Sequence, residues 1–239
     1  MSGKTPVYKR ILLKISGEAL AGDSRNGFDF GVVTRVCEAI KKCVEMGLEV
    51  AIVAGGGNFW RGVKDGEGHI ERARADYMGM VATVLNCIAL ADRLEQMGVS
   101  ARIQTALSIS AVAEPYDRLK ANSHLKKGRV VLFGCGTGHP YFSTDTAAVL
   151  RAAEIGADII LSAKNIDGVY TADPKKDKNA KKIDEISYNE MLDRQLLAMD
   201  LTATSLAMEN NIPILLFGLN DPENIIRAVT GENVGTRVG

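Results

Sequence analysis

The apolar positions of this chain follow two alternating patterns. Short continuous runs rich in Ile, Leu and Val read as strands buried on both faces: Tyr8 to Ile15, the run that opens at Glu49, Ala101 to Thr105, Arg129 to Phe133, Ala157 to Ser162, and Ile214 to Phe217. Between them the apolar residues recur at helical spacing. From Phe30 to Met46 they are Val32, Val33, Val36, Ile40 and Val44, with Asp29 as N-cap and Gly47 as stop. After Arg74 a longer helix runs through Met78, Val81, Leu85, Ile88 and Leu94 to Gly98. Further helices are expected over Pro115 to Lys127, Thr146 to Ile155, Tyr188 to Leu197 and Leu201 to Asn210, and after Asp221 with Pro222 at the first position. Strand, helix, strand in succession implies parallel pairing with right-handed crossovers, hence an α/β fold. No low-complexity linker interrupts it, so residues 1–239 read as a single domain.

Several strands end in glycine. The run from Glu49 passes into Gly55-Gly56-Gly57-Asn58 and then Arg61; Tyr8 to Ile15 passes into Ser16-Gly17-Glu18; Arg129 to Phe133 opens into a loop with Gly134, Gly136 and Gly138. Without a Cβ, main-chain N–H groups can approach an anion closely, and the candidate anion is phosphate. A lone triple glycine reads equally as a flexible turn. Lys14, at the end of its strand, lies where open α/β sheets bind ligands, although a strand-end lysine is also a common solvated charge. Thr137, Ser143 and Thr144 add hydroxyls before a helix N-terminus, a ready anion site. Asp76 and Asp145, each near a helix start, have purely structural readings as favourable N-terminal carboxylates.

Composition narrows the field. Hydrophobic residues make up 46% and charged residues 24% of the chain, and the formal net charge is zero, so no general attraction to nucleic acid or anionic membranes is implied. Four scattered cysteines without zinc spacing suggest reduced thiols in the cytoplasm and no cysteine metal site. No signal-like apolar core stands at the N-terminus, and no uninterrupted apolar run reaches the roughly 18 residues of a membrane span. Gly3-Lys4-Thr5 has no strand before it and fails as a P-loop; the other glycine clusters lack the dinucleotide-binding spacing. His69, His124 and His139 are isolated, and no Ser/His/Asp or paired-carboxylate set stands out.

Five pieces stand in one order along nearly the whole chain: KRILLKISGEAL, GGGNFWRG, ADYMGMVATVLN, GTGHPYFSTDTAA and DGVYTADP, followed by MDLTAT and GTRV. On these the chain resembles the amino acid kinase superfamily and, within it, the bacterial uridylate kinases. The resemblance implies a three-layer αβα sandwich around a mostly parallel sheet and a homohexamer. It implies reversible, Mg²⁺-dependent transfer of the ATP γ-phosphoryl group to UMP, giving UDP and ADP in pyrimidine nucleotide synthesis. The UMP site would lie mainly in the N-terminal part and the ATP site mainly in the C-terminal part. Carried over residue by residue, the resemblance sets Lys14, Ile15, Ser16 and Gly17 against the transferring phosphates, with Gly57 and Arg61 nearby. Around UMP it sets Gly56, Asp76, Thr137, Gly138, His139, Pro140, Tyr141, Phe142, Ser143 and Thr144, Asp76 acting through ribose hydroxyls. Around ATP it sets Lys164, Asn165, Tyr170 and Asp173.

Lys14, Arg61 and Asp145 form the implied catalytic set, Asp145 organising Lys14 or the Mg²⁺ shell without acting as a base. Magnesium would arrive with ATP, and no protein metal site is assigned. UTP inhibition and GTP activation also belong to the resemblance, with Ala91 where an arginine can stand beside Asp92, Arg102 and Arg129. The basic run Lys175 to Lys182 is either a solvated loop or a lid over nucleotide phosphates. Two rival readings share the fold: a sister kinase acting on a carbamate or carboxylate, and a nucleotide-binding regulator without turnover.

Overall fold

The computed structural model describes residues 5–24, 26–61, 66–172, 177–194, 196 and 199–239. Its strands are β1 (Arg10–Ile15), β2 (Glu49–Ala54), β3 (Ala101–Thr105), β4 (Glu114–Pro115), β5 (Val130–Gly134), β6 (Ile159–Lys164), β7 (Val169–Tyr170), β8 (Lys182–Ile183), β9 (Glu185–Ile186), β10 (Ile214–Gly218) and β11 (Gly235–Val238). Nine of them form one sheet in the order β4-β3-β5-β2-β1-β6-β10-β11-β9, while β7 and β8 pair separately and antiparallel. In the large sheet only β10 and β11 run antiparallel. β1 lies at the centre, with Lys14 level with Val53 of β2 and Ser162 of β6.

The chain first builds outward from β1 on one side, through β2, and later returns to β1 on the other with β6. This reversal places a crevice beyond the carboxyl ends of β1, β2 and β6, where open α/β sheets bind ligands. The helices are α1 (Gly17–Leu20), α2 (Phe30–Glu45), α3 (Arg72–Gln96), α4 (Arg118–Lys126), α5 (Thr144–Ile155), α6 (Tyr188–Asp193), α7 (Leu201–Glu209) and α8 (Glu223–Val229). Alternate β1 residues serve opposite layers, as strand periodicity requires. Ile11, Leu13 and Ile15 pack with Ile40 of α2, Leu90 of α3 and Ile225 of α8. Leu12 packs in the opposite layer with Leu125 of α4, Val149 of α5 and Ala203 of α7. Each of these β1 side chains is fully buried, contributing roughly 1.5–3 kcal/mol of transfer free energy. The expected αβα sandwich around a mostly parallel sheet is the observed fold.

Several expected boundaries move. The helix placed at Pro115 starts at Arg118 behind an Asp117 cap, because Pro115 pairs in edge strand β4. The helix placed at Thr146 starts at Thr144, capped by the Ser143 hydroxyl, which accepts from the amides of Asp145 and Thr146. Lys164, expected in a turn, ends β6 opposite Gly218. The final helix begins at Glu223, with Pro222 before its first residue.

The largest difference concerns α3. Of the expected stripe, Leu94 is buried, but Met78, Val81, Leu85 and Ile88 are exposed, together with Tyr77, whereas Ala75, Thr83, Val84, Asn86, Cys87 and Leu90 face inward. Small residues win the inner face because this helix approaches a glycine turn closely: a Cβ on Gly56 would sit 2.8 Å from the Gly79 carbonyl oxygen. Among the described residues α3 is the one helix long and apolar enough to cross a bilayer, but half of its most apolar window is buried in the fold, as in a core helix.

Candidate active site

The crevice floor is built from strand ends. Lys14, next to last in β1, is only 8% exposed, and its Nζ lies 2.7 Å from Asp145 Oδ1. From β6, Lys164 Nζ lies 3.1 Å from the other carboxylate oxygen, Oδ2. Burial by itself would raise the Asp145 pKa; the ammonium groups of Lys14 and then Lys164 outweigh it and hold the carboxyl below its ordinary range. Burial likewise pushes the Lys164 pKa down, against the opposing pull of Asp145. Two cations sharing one buried anion leave a net positive charge at the mouth of the sheet. Such a floor favours a dianionic phosphate and prevents Asp145 from serving as a base at neutral pH. Lys14 is therefore a paired, buried charge rather than a solvated one, and Asp145 is its partner rather than a helix cap.

Two glycine turns meet above this floor. A Cβ on Gly17 would lie 2.4 Å from the Gly55 carbonyl oxygen and 2.6 Å from Asn58 Oδ1, so only glycine lets the ends of β1 and β2 touch. Beyond β2, the amides of Gly56, Gly57 and Asn58 donate no hydrogen bond within the described chain. They form a small concavity of main-chain donors suited to an anion. Arg61 stands at its rim, its guanidinium 3.0 Å from Glu18 Oε1 and its Nε 3.4 Å from the Gly57 carbonyl. Trp60 fastens the turn to α3 by donating to the Ala75 carbonyl at 2.9 Å.

The third glycine loop, after β5, differs in kind. Cys135, Gly136, Gly138 and Tyr141 all adopt positive φ, between 56° and 83°. The loop is held from one side by Asp76, whose Oδ2 accepts the Tyr141 amide at 2.9 Å while Arg72 donates to both carboxylate oxygens at 2.9 and 3.0 Å. On its other side Thr137, His139 and Phe142 line a cavity of about 660 Å³ with Tyr116 and Arg151. Within the loop the Thr137 hydroxyl bridges the His139 amide and carbonyl, each at 3.2 Å. Thr144 closes the gap toward β2, its Oγ1 3.8 Å from where a Gly55 Cβ would stand. Thus Lys14, Ser16, Gly17, Gly55 to Gly57, Arg61, Thr144, Asp145 and Lys164 converge, and Asp76 meets the Thr137–Thr144 loop.

The ATP residues read from the sequence are less unified. Asn165 lines a separate hollow of about 400 Å³ with Glu18 and Leu219. Tyr170, on β7, donates to Asp167 at 2.9 Å and is half-buried. Asp173 lies outside the described residues, as do Lys175 and Lys176 of the basic run.

Three residues that sequence reasoning did not single out also organise the site. Asp200 caps α7 by accepting the Ala203 amide and accepts hydroxyl hydrogens from Ser143 and, at 3.2 Å, from Thr146, joining the two helix starts. Asn58 and Asn86, 1% and 0% exposed, bond to each other beneath the glycine turn. Asp200 lies in MDLTAT and Asn58 in GGGNFWRG, so both were within recognised motifs; Asn86 had no local signal.

Comparison with known proteins agrees with this arrangement. The amino acid kinase family model matches residues 9–218. The UMP kinase of Bacillus anthracis superposes with a TM-score of 0.93 at 40% identity, over 97% of this chain and 96% of that one. The UMP kinase of Ureaplasma parvum gives 0.91 at 38%, over 97% and 98% of the two chains. The uridylate kinase of Archaeoglobus fulgidus gives 0.76 at 31%, over 96% and 99%. With its cationic floor, its glycine turns and a match running through almost its full length, the chain is a kinase of the amino acid kinase family, similar throughout to the uridylate kinases.

Proposed function

We propose that this kinase transfers the γ-phosphoryl group of ATP to UMP, reversibly, giving UDP and ADP for pyrimidine nucleotide synthesis. The observation that carries the reading is the Lys14–Asp145–Lys164 cluster set directly below two touching glycine turns. Phosphoryl transfer asks the protein mainly to hold attacking and leaving oxygens in line and to neutralise developing charge. Lys14 and Lys164 supply fixed positive charge, the Gly56–Asn58 amides supply oriented donors, and Arg61 supplies a planar cation at the rim. The acceptor needs no general base, because a phosphate monoester with a second pKa near 6 already offers an ionised oxygen. Asp145 keeps both lysines aimed inward. Asp76, on α3 and already bonded to the loop after β5, is the ribose partner; Asn165, Tyr170 and Asp173 hold ATP.

The donor set suits a magnesium ion carried by the nucleotide. Among the described residues no three carboxylates, histidines or cysteines cluster as a metal cage, and magnesium typically takes one or two carboxylates with phosphate oxygens and water. Asp145 and Asp200, both at helix starts facing this end of the sheet, are the carboxylates that would hold it. Bound there, it would neutralise phosphate oxygens. Self-association as a homohexamer is supported by the exposed α3 stripe from Tyr77 to Ile88, an apolar face of the kind that marks protein contacts. GTP activation and UTP inhibition complete the reading; an effector near Ala91 would have to loosen Arg102 from Glu95 and Arg129 from His124.

The test is ADP release with Mg-ATP against UMP, CMP, dTMP, AMP, carbamate and N-acetylglutamate. Turnover with UMP well above the others is expected. Preference for carbamate or the carboxylate moves the function to a sister kinase, and no turnover with any acceptor leaves a binding protein.

A further inference from the structure

Asn58 and Asn86 are almost fully buried amide side chains beside the crevice; they bond to each other, to the Gly55 carbonyl at the crevice and to the Gly27 carbonyl ahead of α2. Asn58 Nδ2 donates to Asn86 Oδ1 at 2.9 Å and to the Gly27 carbonyl at 2.8 Å. Asn86 Nδ2 donates to Asn58 Oδ1 at 2.8 Å and to the Gly55 carbonyl at 2.6 Å. The Gly27 amide returns a bond to the Asn58 carbonyl at 2.9 Å. Asn58 Oδ1 also presses against Gly17, at 2.6 Å from where its Cβ would be. Two amides therefore join the end of β1, the end of β2, the approach to α2 and the middle of α3.

A buried amide pair is costly unless each group is satisfied, and an apolar pair of similar volume could fill the same space. What apolar side chains could not do is fix the direction of the Gly55 carbonyl. With that carbonyl turned inward onto Asn86, the following amides of Gly56, Gly57 and Asn58 are left without partners inside the described chain. We propose that Asn58 and Asn86 are positioning residues that hold this row of donors at a set distance from Lys14, and so fix the alignment of the transferring phosphoryl group. The proposal rests on the phosphoryl-transfer reading.

The variants Asn86→Leu and Asn86→Asp are close in size to the parent, and neither leaves a carboxamide donor for Gly55. Each is expected to lower kcat about 30-fold or more, on the scale of misaligning a preorganised donor, with KM for ATP and UMP changed less than about threefold. Ile225→Val, in the opposite layer from the Lys14 cluster, serves as a stability control and should keep kcat. Near-parent kcat in a variant with a cooperative melt overturns the proposal, as does a loss that the control shows at an equal fall in melting temperature. Should Asn86→Leu not melt cooperatively, Asn58→Ser carries the same expectation. An activity-free readout separates this proposal from the functional reading: in ¹⁵N-labelled protein, Asn86→Leu should shift or broaden the Gly55–Gly57 amide signals and spare those of Gly136 and Gly138. Unmoved Gly55–Gly57 signals overturn the positioning role even if UMP is phosphorylated. Moved signals together with a parent inactive on every acceptor would overturn the alignment of a transferring phosphoryl group along with the kinase reading, while the placement of the donor row by the amide pair stands.

Discussion

The glycine turns after β2 and β5 look alike in sequence and solve different physical problems. At the first, room is the constraint: an added Cβ on Gly56 would fall 2.8 Å from the Gly79 carbonyl oxygen, and one on Gly17, which reaches this turn from the end of β1, would fall 2.4 Å from that of Gly55. At the second, conformation comes first: Gly136 has nothing within 4 Å of an added Cβ and requires a φ of 56°, while Gly138 requires a φ of 83° and would meet only the Ala106 side chain, at 3.1 Å, before any backbone. One turn is a packed joint between secondary-structure ends, the other a conformational detour that brings Thr137, His139 and Phe142 to the wall of a cavity. A packed joint cannot yield by small amounts, because interiors are dense; a detour in open space can. The difference teaches that precision is concentrated on the β1–β2 side, beside the Lys14–Asp145–Lys164 cluster, and that under the proposed function tolerance would lie on the β5 side, where the acceptor would enter and leave.

Substitutions can break or sharpen that contrast. Gly17→Ala should have the largest effect, abolishing measurable transfer together with a marked fall in melting temperature, because Gly55 must move; a well-folded, active variant would show that the joint is not tight. Lys14→Ala should come next, lowering kcat about 10²-fold or more while the fold persists, as expected for loss of one preorganised charge. Steady-state rates at saturating substrate decide it. Asp76→Asn retains the side chain's shape but weakens its bond to Arg72 and its capacity for ribose hydroxyls. About a tenfold rise in KM for UMP with little change for ATP is expected, and unchanged UMP kinetics would remove Asp76 from the acceptor site. Gly136→Ala should cost only about 1 kcal/mol, the ordinary cost of a left-handed conformation, or a fall of roughly 2–4 °C in the melting point. Larger loss of activity there would erase the distinction between the two turns.

The smallest effect is a pH dependence. The Asp145 pKa is depressed in the folded state, so its contribution is fully present above the unfolded carboxyl value near 3.9 and is lost as pH falls through the lower folded value. Parent protein should therefore lose more stability on acidification below about pH 4 than Asp145→Asn does, as denaturant melts at several pH values would register.

The strands that form the sheet's centre were legible because burial on both faces leaves continuous apolar runs such as Ile11 to Leu13. The two-residue strands β4, β7, β8 and β9 were not, since partners alone define them. For α3 the period was readable but the face was not: large apolar residues usually turn inward, yet here the inner face must admit a glycine turn and an amide pair. In the candidate site the backbone donors were foreseen from glycine, whose meaning is local. Lys14 and Asp145 are 131 positions apart in number, so nothing local in the residues marks their pairing; the family resemblance implied it, and the packing of α5 against β1 realises it. Asp200 and Asn86 escaped for the same reason, each acting on a segment brought near by folding.

β9 reaches the large sheet only through β11, and Thr236 of that strand also holds the small hairpin, accepting from the Val169 amide at 2.7 Å and donating to the Ile183 carbonyl at 2.5 Å. The β7–β8 hairpin thus depends on a residue made 67 positions after Val169 and 53 after Ile183. On the ribosome, the centre of the sheet can form while this corner still waits. β9 has no neighbour in the large sheet until β11 exists, whereas no contact of the Lys14–Asp145–Lys164 floor involves that strand, so the two corners of the molecule are completed at different moments of synthesis.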